Sequence, residues 1–265
     1  MTASAEVAAA ENAQETRKVK QGKLTFYYGI EQGTQEWLDL RANRATCSNA
    51  KAVCEKGVKY AIEINRQHAA RKTPNGNQYA ERGHVLEDEV KERIQQTFET
   101  EDLELVSCSF ITNDDYPHAG YSPDWLVVNK HTGKFVAPIE IKCFNDKTER
   151  FDKKTGTVKE FEKWKHKECC ESVRNIPLEN RMQFEMEMLM TETEELLVIL
   201  YNPDAEEGVP QFKMHVYTPE TRMCQECFTD EDGSGVVKVN VIEIYQKRLI
   251  ERLTEPLDKD EEGKV

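Results

Sequence analysis

The fold that this sequence predicts rests on the stretch YSPDWLVVNKHTGKFVAPIEIK, residues 121–142. Its two ends carry the aromatic and branched apolar residues that strands favour, and NKHTGK between them is typical of a turn. We therefore predict a β-hairpin in which Trp125–Val128 pairs with Phe135–Lys142.

Two acidic residues lie symmetrically about this turn. Asp124 and Glu140 are sixteen residues apart and their midpoint is Thr132, so they lie opposite each other across an antiparallel pair, or nearly so if the turn carries a bulge. Lys142 follows Glu140 by two residues and shares its face of the strand. The spacing predicts that the three side chains converge at one end of one sheet face.

This convergence favours a metal-dependent reaction. Two neighbouring carboxylates repel each other, and a divalent cation removes that conflict. Oxygen ligands favour Mg²⁺ or Mn²⁺ over zinc, and such a cation can polarise a phosphoryl oxygen. A lysine beside it can orient or help deprotonate water, or stabilise developing charge. The pattern indicates phosphodiester hydrolysis; an exposed turn with alternating surface charges is the alternative for a lone Glu-x-Lys.

The composition fits a globular protein with a substantial core. The 265 residues are 38% hydrophobic and 32% charged, and the net charge of −13 argues against a general nucleic-acid coat protein. It does not exclude an enzyme with a local basic channel. We see no secretory signal and no apolar run long enough for a membrane, so we expect a cytoplasmic protein.

Eight cysteines raise the question of a metal–thiolate site. Without an export signal we expect reduced thiols. Cys224 and Cys227 form a C-x-x-C, but a zinc site needs a second close pair, and the adjacent Cys169 and Cys170 are poorly placed for that. We expect no iron–sulfur cluster.

Strands flanked by helices on both sides predict a single α/β (α+β) domain. Before the hairpin we predict helices near 36–41 and from Thr46 or Ser48, a loop at 71–78, a long helix from Tyr79 and a strand at 105–112. After the hairpin we predict a helix at 178–191, paired strands at 196–202 and 211–217, and a helix at 239–253. The long helix places Glu87 beside its apolar stripe, where a solvated carboxylate is the simpler interpretation.

With this hairpin in view, four blocks in order resemble the phage lambda-type exonuclease family, also called YqaJ-type viral recombinases, of the PD-(D/E)xK nucleases. They are EQGTQEWLDLRANRATCS (31–48), RGHVLEDEV (82–90), YSPDWL…IEIKC (121–143) and NRMQFEMEM (180–188). The resemblance implies a restriction-endonuclease-like core, with a central mixed sheet flanked by helices. It also implies a Mg²⁺-dependent 5′-to-3′ exonuclease on double-stranded DNA ends, a ring-shaped homotrimer and a single-strand annealing partner.

The resemblance also assigns roles to individual residues. Asp124, Glu140, the backbone carbonyl of Ile141 and Glu87 would hold metal, Lys142 would act on the attacking water, and Gln183 would lie near the scissile phosphate. A pocket for the terminal 5′-phosphate would consist of Arg41, Ser48 and Ser122. Guanidinium and hydroxyl groups suit a phosphate.

On this interpretation residues 1–22 form a flexible tail, 23–253 the nuclease domain and 254–265 an acidic tail. Residues 144–177 are a lysine-rich segment that is either a solvated insertion or a DNA-contacting loop, with Lys153, Lys154, Lys163 and Lys165 near phosphates and Trp164 stacking on bases. Three alternatives remain open: an endonuclease on the same core, an iron–sulfur nuclease, and a catalytically inactive DNA-end binder.

Overall fold

The computed structural model describes residues 16–70, 78–98, 100–144, 147–152, 157–162, 166–218, 225–229 and 236–257. The described residues contain seven α-helices: α1 (Gln35–Ala42), α2 (Ala50–Lys56), α3 (Val58–Ala69), α4 (Gln78–Phe98), α5 (His166–Glu171), α6 (Leu178–Thr191) and α7 (Val241–Thr254). Two short 3₁₀ helices span Cys47–Asn49 and Val173–Asn175.

The strands fall into one larger sheet and several small ones. They are β1 (Arg17–Gln21), β2 (Leu24–Tyr28), β3 (Ala45–Thr46), β4 (Leu103–Val106), β5 (Phe110–Asn113), β6 (Ala119–Gly120), β7 (Trp125–Asn129), β8 (Phe135–Cys143), β9 (Lys147–Asp152), β10 (Thr157–Glu162), β11 (Leu196–Tyr201), β12 (Phe212–Tyr217), β13 (Gln225–Thr229) and β14 (Val236–Asn240).

The central sheet has five strands in the order β12-β11-β8-β7-β4. β8 and β11 run parallel, whereas the other neighbouring pairs are antiparallel, so the sheet is mixed. The predicted fold class is confirmed: a mixed sheet lies between helices.

The hairpin at the centre of this sheet has the predicted register. Trp125 pairs with Ile139 and Val127 with Ala137, and the register shifts between Val127 and Val128, where a bulge was allowed for. Continuing the first pairing by one residue brings Asp124 opposite Glu140. Asp124 and Glu140 therefore lie opposite each other because the turn falls within the segment NKHTGK, as its composition predicted.

Two helices cover the two faces of the sheet. Leu86, Val90 and Ile94 of α4 pack with Ile139 and Ile141 of β8 in one buried cluster. The alternate residues of β8 face the other way, towards α6, and this is the side on which Glu140 and Lys142 lie.

The helix α6 is buried on nearly all sides. Met182, Met186 and Met190 join the cluster formed with the N-terminal region, while Phe184 and Met188 join a second cluster with β11. Its predicted span, 178–191, is confirmed. Because both helix faces are apolar, the acidic side chains of Glu185 and Glu187 on α6 are enclosed by the core.

The predicted single strand at 105–112 is wrong. The chain forms β4 and β5 in different sheets, since Ser107–Ser109 interrupt the ladder. Ser109 bonds instead to the β2 region: its backbone N–H donates to Tyr27 O at 2.8 Å, and its hydroxyl accepts from Ile30 N at 3.0 Å.

The start of the helix predicted at Thr46 or Ser48 is also wrong. The chain passes through β3 and a 3₁₀ turn before α2 begins at Ala50, and neither Thr46 nor Asn49 caps a helix through its side chain. The hydroxyl groups of Thr46 and Ser48 contact Arg41 instead.

Two segments contain more structure than their composition indicated. β1 lies within the expected tail 1–22 and pairs with β2, so the folded chain begins before the expected boundary. Residues 144–177 contain the β9–β10 hairpin and α5. The side chains proposed to contact DNA there, Lys153, Lys154, Lys163, Trp164 and Lys165, lie outside the described residues.

The cysteines and helices add two further observations. The six cysteines whose side chains are described form no disulfide with one another, and the side chains of Cys224 and Cys227 lie outside the described part. None of the described helices combines the length and apolar character needed to cross a bilayer.

Candidate active site

The predicted carboxylates come together at the end of the β7–β8 hairpin. Asp124 precedes β7 and accepts a hydrogen bond at its Oδ2 from the backbone N–H of Ile141, at 2.7 Å. Glu140 is only 5% exposed. The backbone of β8 thus holds the carboxylate of Asp124 against the strand that carries Glu140.

Gly120 allows the backbone that leads to Asp124 to pass close to the buried ring of Phe110. A Cβ atom on Gly120 would lie 2.1 Å from Cζ of the buried Phe110, far inside van der Waals contact. A residue without a side chain is therefore required just before the segment Tyr121–Asp124, which carries both Ser122 and the carboxylate of Asp124.

Lys142 joins the carboxylates to α6. Its Nζ donates to Glu140 Oε1 at 2.7 Å and to Gln183 Oε1 at 3.1 Å. Burial lowers the pKa of Lys142, but the nearby charges of Glu140 and Glu187 raise it more, and the net pKa lies above its ordinary value. Lys142 therefore carries a proton at neutral pH.

The pKa of Asp124 is raised well above its ordinary value. The causes are burial, then the charges of Glu140 and Glu87. Glu87, on α4, is thus close enough to act on Asp124 electrostatically. Negative charge is in excess here, and added positive charge would lower that pKa.

The carboxylates do not form a ready-made metal cage. Among the described side chains, no three His, Cys, Asp or Glu residues are already grouped around one point as ligands. The oxygen donors of Asp124 and Glu140 nevertheless suit a hard cation such as Mg²⁺, and their mutual repulsion is of the kind that a cation relieves. The donor set fits such an ion.

Glu187 also belongs to this site, although it was not predicted from the sequence. This residue lies one helical turn after Gln183 and is fully buried. The amide nitrogen of Gln183 donates to Glu187 Oε1 and to Glu140 Oε1, both at 2.7 Å. Burial and then the charge of Glu140 raise the pKa of Glu187 well above its ordinary value. Its i+4 spacing from Gln183 was a usable signal.

The predicted phosphate pocket is a second cluster of polar side chains. Arg41, in the last turn of α1, donates from Nη1 to Ser122 Oγ at 3.0 Å and from Nη2 to Ser48 Oγ at 3.2 Å. The structure therefore brings together the three residues that the family resemblance assigned, although they are far apart in the chain.

Thr46 belongs to the same pocket, and sequence reasoning did not assign it. Its Oγ1 accepts from Arg41 Nη2 at 3.3 Å and from Asn65 Nδ2 at 3.2 Å, and it lies 3.1 Å from Ser48 Oγ. The buried amide of Asn65 also donates to Arg44 O at 2.7 Å. These bonds hold the hydroxyl of Thr46 towards the guanidinium.

Arg41 is a partly buried cation. Its guanidinium carbon lies 4.2 Å from the centre of the ring of Trp37, a partly buried residue whose aromatic face supports the cation. Burial lowers the pKa of Arg41 to about 10. Within the part of the chain that the structure describes, no carboxylate pairs with it.

Buried carboxylates and a lysine lie together at one end of the central β7–β8 hairpin, an arrangement that suits a nuclease. Residues 36–194 match the YqaJ-like viral recombinase domain, and the chain belongs to this family. The resemblance seen in the four sequence blocks is confirmed.

Several solved structures are similar to the chain. LHK-Exo in complex with dAMP has 20% identity and a TM-score of 0.48 over 83% of this chain and 92% of that one. The alkaline exonuclease LHK-Exo from Laribacter hongkongensis has 21% identity and a TM-score of 0.43 over the same shares. SSO0001 has 15% identity and a TM-score of 0.30 over 69% and 76%. No curated protein matches the chain significantly in sequence.

Proposed function

We propose that this protein is a Mg²⁺-dependent exonuclease that degrades linear double-stranded DNA from 5′-phosphorylated ends, in the 5′-to-3′ direction. It leaves 3′ single strands for recombination. The proposal is supported by the family, by the carboxylate–lysine cluster and, above all, by Arg41, a partly buried cation that bonds to hydroxyl groups rather than to a described carboxylate.

In this proposal Asp124, Glu140, the carbonyl of Ile141 and Glu87 hold the cation. When bound, Mg²⁺ polarises the scissile phosphate and makes water a better nucleophile at neutral pH; Mn²⁺ can substitute. Asp124 and Glu140 supply the negative charge, and the hydrogen bond from Ile141 N keeps the carboxylate of Asp124 against β8.

Lys142 acts as a positive charge in this site. In the metal-free protein the charges of Glu140 and Glu187 outweigh burial and raise its pKa, which favours a protonated lysine that donates hydrogen bonds. Its ammonium group orients the attacking water and stabilises the negative charge that develops on the phosphate. Gln183, bonded to both Lys142 and Glu140, fixes the direction of the ammonium group.

The second cluster anchors the end of the substrate. Arg41 offers a guanidinium, and Thr46, Ser48 and Ser122 offer hydroxyl groups, which together suit a terminal phosphate. Ser122 and Asp124 are two residues apart, so one short segment reaches both clusters. A terminal phosphate held in this pocket directs cleavage to the end of the strand.

The test is digestion of linear duplex DNA with label at the 5′ or the 3′ end, in Mg²⁺, beside a closed circular duplex. We expect early release of 5′ label from 5′-phosphorylated linear DNA, and no release by Asp124→Asn. Cutting of the circle would instead favour the endonuclease. No cleavage of any substrate in Mg²⁺ or Mn²⁺ would favour the inactive DNA-end binder.

We further propose the assembly that the family resemblance implies. The protein forms a ring-shaped homotrimer around DNA and hands the 3′ strand to a single-strand annealing protein. Sedimentation equilibrium should give three times the 30.6 kDa chain mass. A monomer at micromolar concentration would contradict the ring.

A further inference from the structure

We infer that Glu187 is a positioning residue that holds the amide of Gln183 in the orientation used at the active site. The inference deepens the proposed function and rests on it. Glu187 is fully buried on α6, and its Oε1 accepts a hydrogen bond from Gln183 Nε2 at 2.7 Å.

The surroundings of Glu187 make a carboxylate costly there. The flanking Met186 and Met188 are buried in apolar clusters. Glu187 Oε2 is buried without a hydrogen-bond partner in the described part of the structure, and the same holds for the hydroxyl of Tyr121. A buried carboxylate with an unsatisfied oxygen destabilises a fold, and an apolar residue of similar volume does not. Packing alone therefore does not explain glutamate at this position.

The contact of Glu187 with Gln183 supplies the explanation. The Gln183 amide uses both of its N–H groups and its oxygen: Nε2 donates to Glu140 and Glu187, and Oε1 accepts from Lys142. Glu187 Oε1 accepts from the amide nitrogen of Gln183, whereas the amide oxygen of Gln183 has no proton to donate to it. Glu187 thus keeps the nitrogen side of the amide away from Lys142 and the oxygen side towards it. In the proposed function Glu140 also holds the cation, so Glu187 is the acceptor whose role is to orient the Gln183 amide.

Two substitutions separate positioning from packing. Glu187→Met removes the acceptor, keeps the approximate volume and matches the neighbouring methionines. Glu187→Gln keeps a side-chain oxygen that can accept from Gln183. A matched control is Glu185→Met, which removes another fully buried glutamate of α6; Glu185 accepts from Tyr217 OH at 2.8 Å, not from Gln183.

We expect Glu187→Met to melt at or above the wild-type temperature, yet to lower kcat by about 10- to 100-fold with KM unchanged, because a small misplacement of a reacting group is enough for such a loss. Glu187→Gln should recover kcat to within about threefold, since the acceptor is restored. Glu185→Met takes this acceptor away from the hydroxyl of the fully buried Tyr217, so it should melt lower, and it should keep the kcat of its folded fraction. Wild-type kcat in Glu187→Met, or a kcat that falls only with its folded fraction, would overturn the inference.

A measurement without DNA or metal distinguishes this inference from the proposed function. In ¹⁵N-glutamine-labelled full-length protein, one side-chain amide proton of Gln183 should shift upfield in Glu187→Met and not in Glu185→Met, with the resonance assigned by its loss in Gln183→Glu. If wild-type protein cleaves no DNA, the proposed function fails, and an unchanged Gln183 resonance in Glu187→Met would overturn the positioning role independently.

Discussion

The two polar clusters of this protein carry opposite charge imbalances. Around Asp124 and Glu140 carboxylates crowd together, and burial together with this crowding raises the pKa of Asp124. Around Arg41 a partly buried guanidinium is surrounded by hydroxyl groups. The first cluster suits a cation and the second an anion.

The contrast explains how one substrate can satisfy both clusters. In the proposed function DNA brings phosphates, and a divalent cation would accompany them at the cleavage site. The terminal phosphate fits the cluster that lacks negative charge, while the scissile phosphate with its cation fits the cluster that has an excess. Ser122 belongs to one cluster and Asp124 to the other, and they are two residues apart in the chain. The distance between the two clusters is therefore set by a short piece of backbone.

Altering the acidic cluster should have the greatest consequence for activity. Lys142→Ala and Asp124→Asn should each abolish measurable cleavage, a loss of at least about 10³-fold. In the proposed function Lys142 stabilises the negative charge that develops on the phosphate, and Asp124 holds the cation. Initial rates on 5′-phosphorylated linear duplex measure this loss.

The matched control is Lys20→Ala, which removes a lysine paired with a carboxylate, Asp114, at the surface. It should cleave at the wild-type rate. All three variants should keep their far-ultraviolet circular dichroism and melt cooperatively. Wild-type turnover in Lys142→Ala or Asp124→Asn would refute the catalytic assignment.

Altering the other cluster should change end preference rather than chemistry. Arg41→Ala should reduce the preference for 5′-phosphorylated over 5′-hydroxyl ends by about 10- to 100-fold, the value of a charge-assisted hydrogen-bond set. Competition between the two substrates in one reaction measures the ratio.

Arg66→Ala, which removes an arginine of α3 that bonds to Asn43 at the surface, is the charge-matched control and should leave the ratio unchanged. If Arg41→Ala slowed both substrates equally, the pocket would not read the terminal phosphate.

The two clusters also differ in how far the sequence predicted them. The opposition of Asp124 and Glu140 followed from the symmetry of a hairpin turn, a local property that strand pairing preserves. Arg41, Ser48 and Ser122 are separated by up to 81 positions, and no periodicity relates them. Their grouping was expected only from the family resemblance.

Residues that act through burial were the hardest to predict. Glu187 sits in a methionine-rich helix, and the sequence does not show that both faces of α6 are covered. Thr46 was interpreted as a helix cap, which its residue type favours. Its hydroxyl instead contacts a guanidinium whose position depends on α1 and on Trp37.

A smaller effect tests the excess of negative charge through pH. The pKa of Glu187 is raised in the folded protein, so the folded state binds its proton more tightly than the unfolded state does. The stability that this tighter proton binding contributes is fully present at pH values below the pKa of the unfolded state. It is lost as the pH rises through the pKa of the folded state. The loss amounts to about 1.4 kcal/mol for each pH unit that separates the folded pKa from the unfolded pKa. Glu187→Gln has no proton to lose at this position.

We therefore expect metal-free Glu187→Gln to have a larger free energy of unfolding than wild type. This difference should grow as the pH rises from about 4.5, close to the ordinary pKa of glutamate, towards neutrality. Urea unfolding at a series of pH values measures the difference. A constant difference across this range would show that Glu187 titrates normally.

The weakest effect that we predict concerns one hydroxyl group of the phosphate pocket. Ser48 is exposed, and its Oγ accepts from Arg41 Nη2 at 3.2 Å, so Ser48→Ala removes one contact without disturbing the core. A single hydrogen bond contributes about 1 kcal/mol, and the preference for 5′-phosphorylated ends should fall about fivefold. Ser48→Thr keeps the hydroxyl and should keep the preference. If alanine and threonine behaved alike at this position, the hydroxyl group of Ser48 would take no part in reading the phosphate, and the pocket would consist of Arg41 with Thr46 and Ser122.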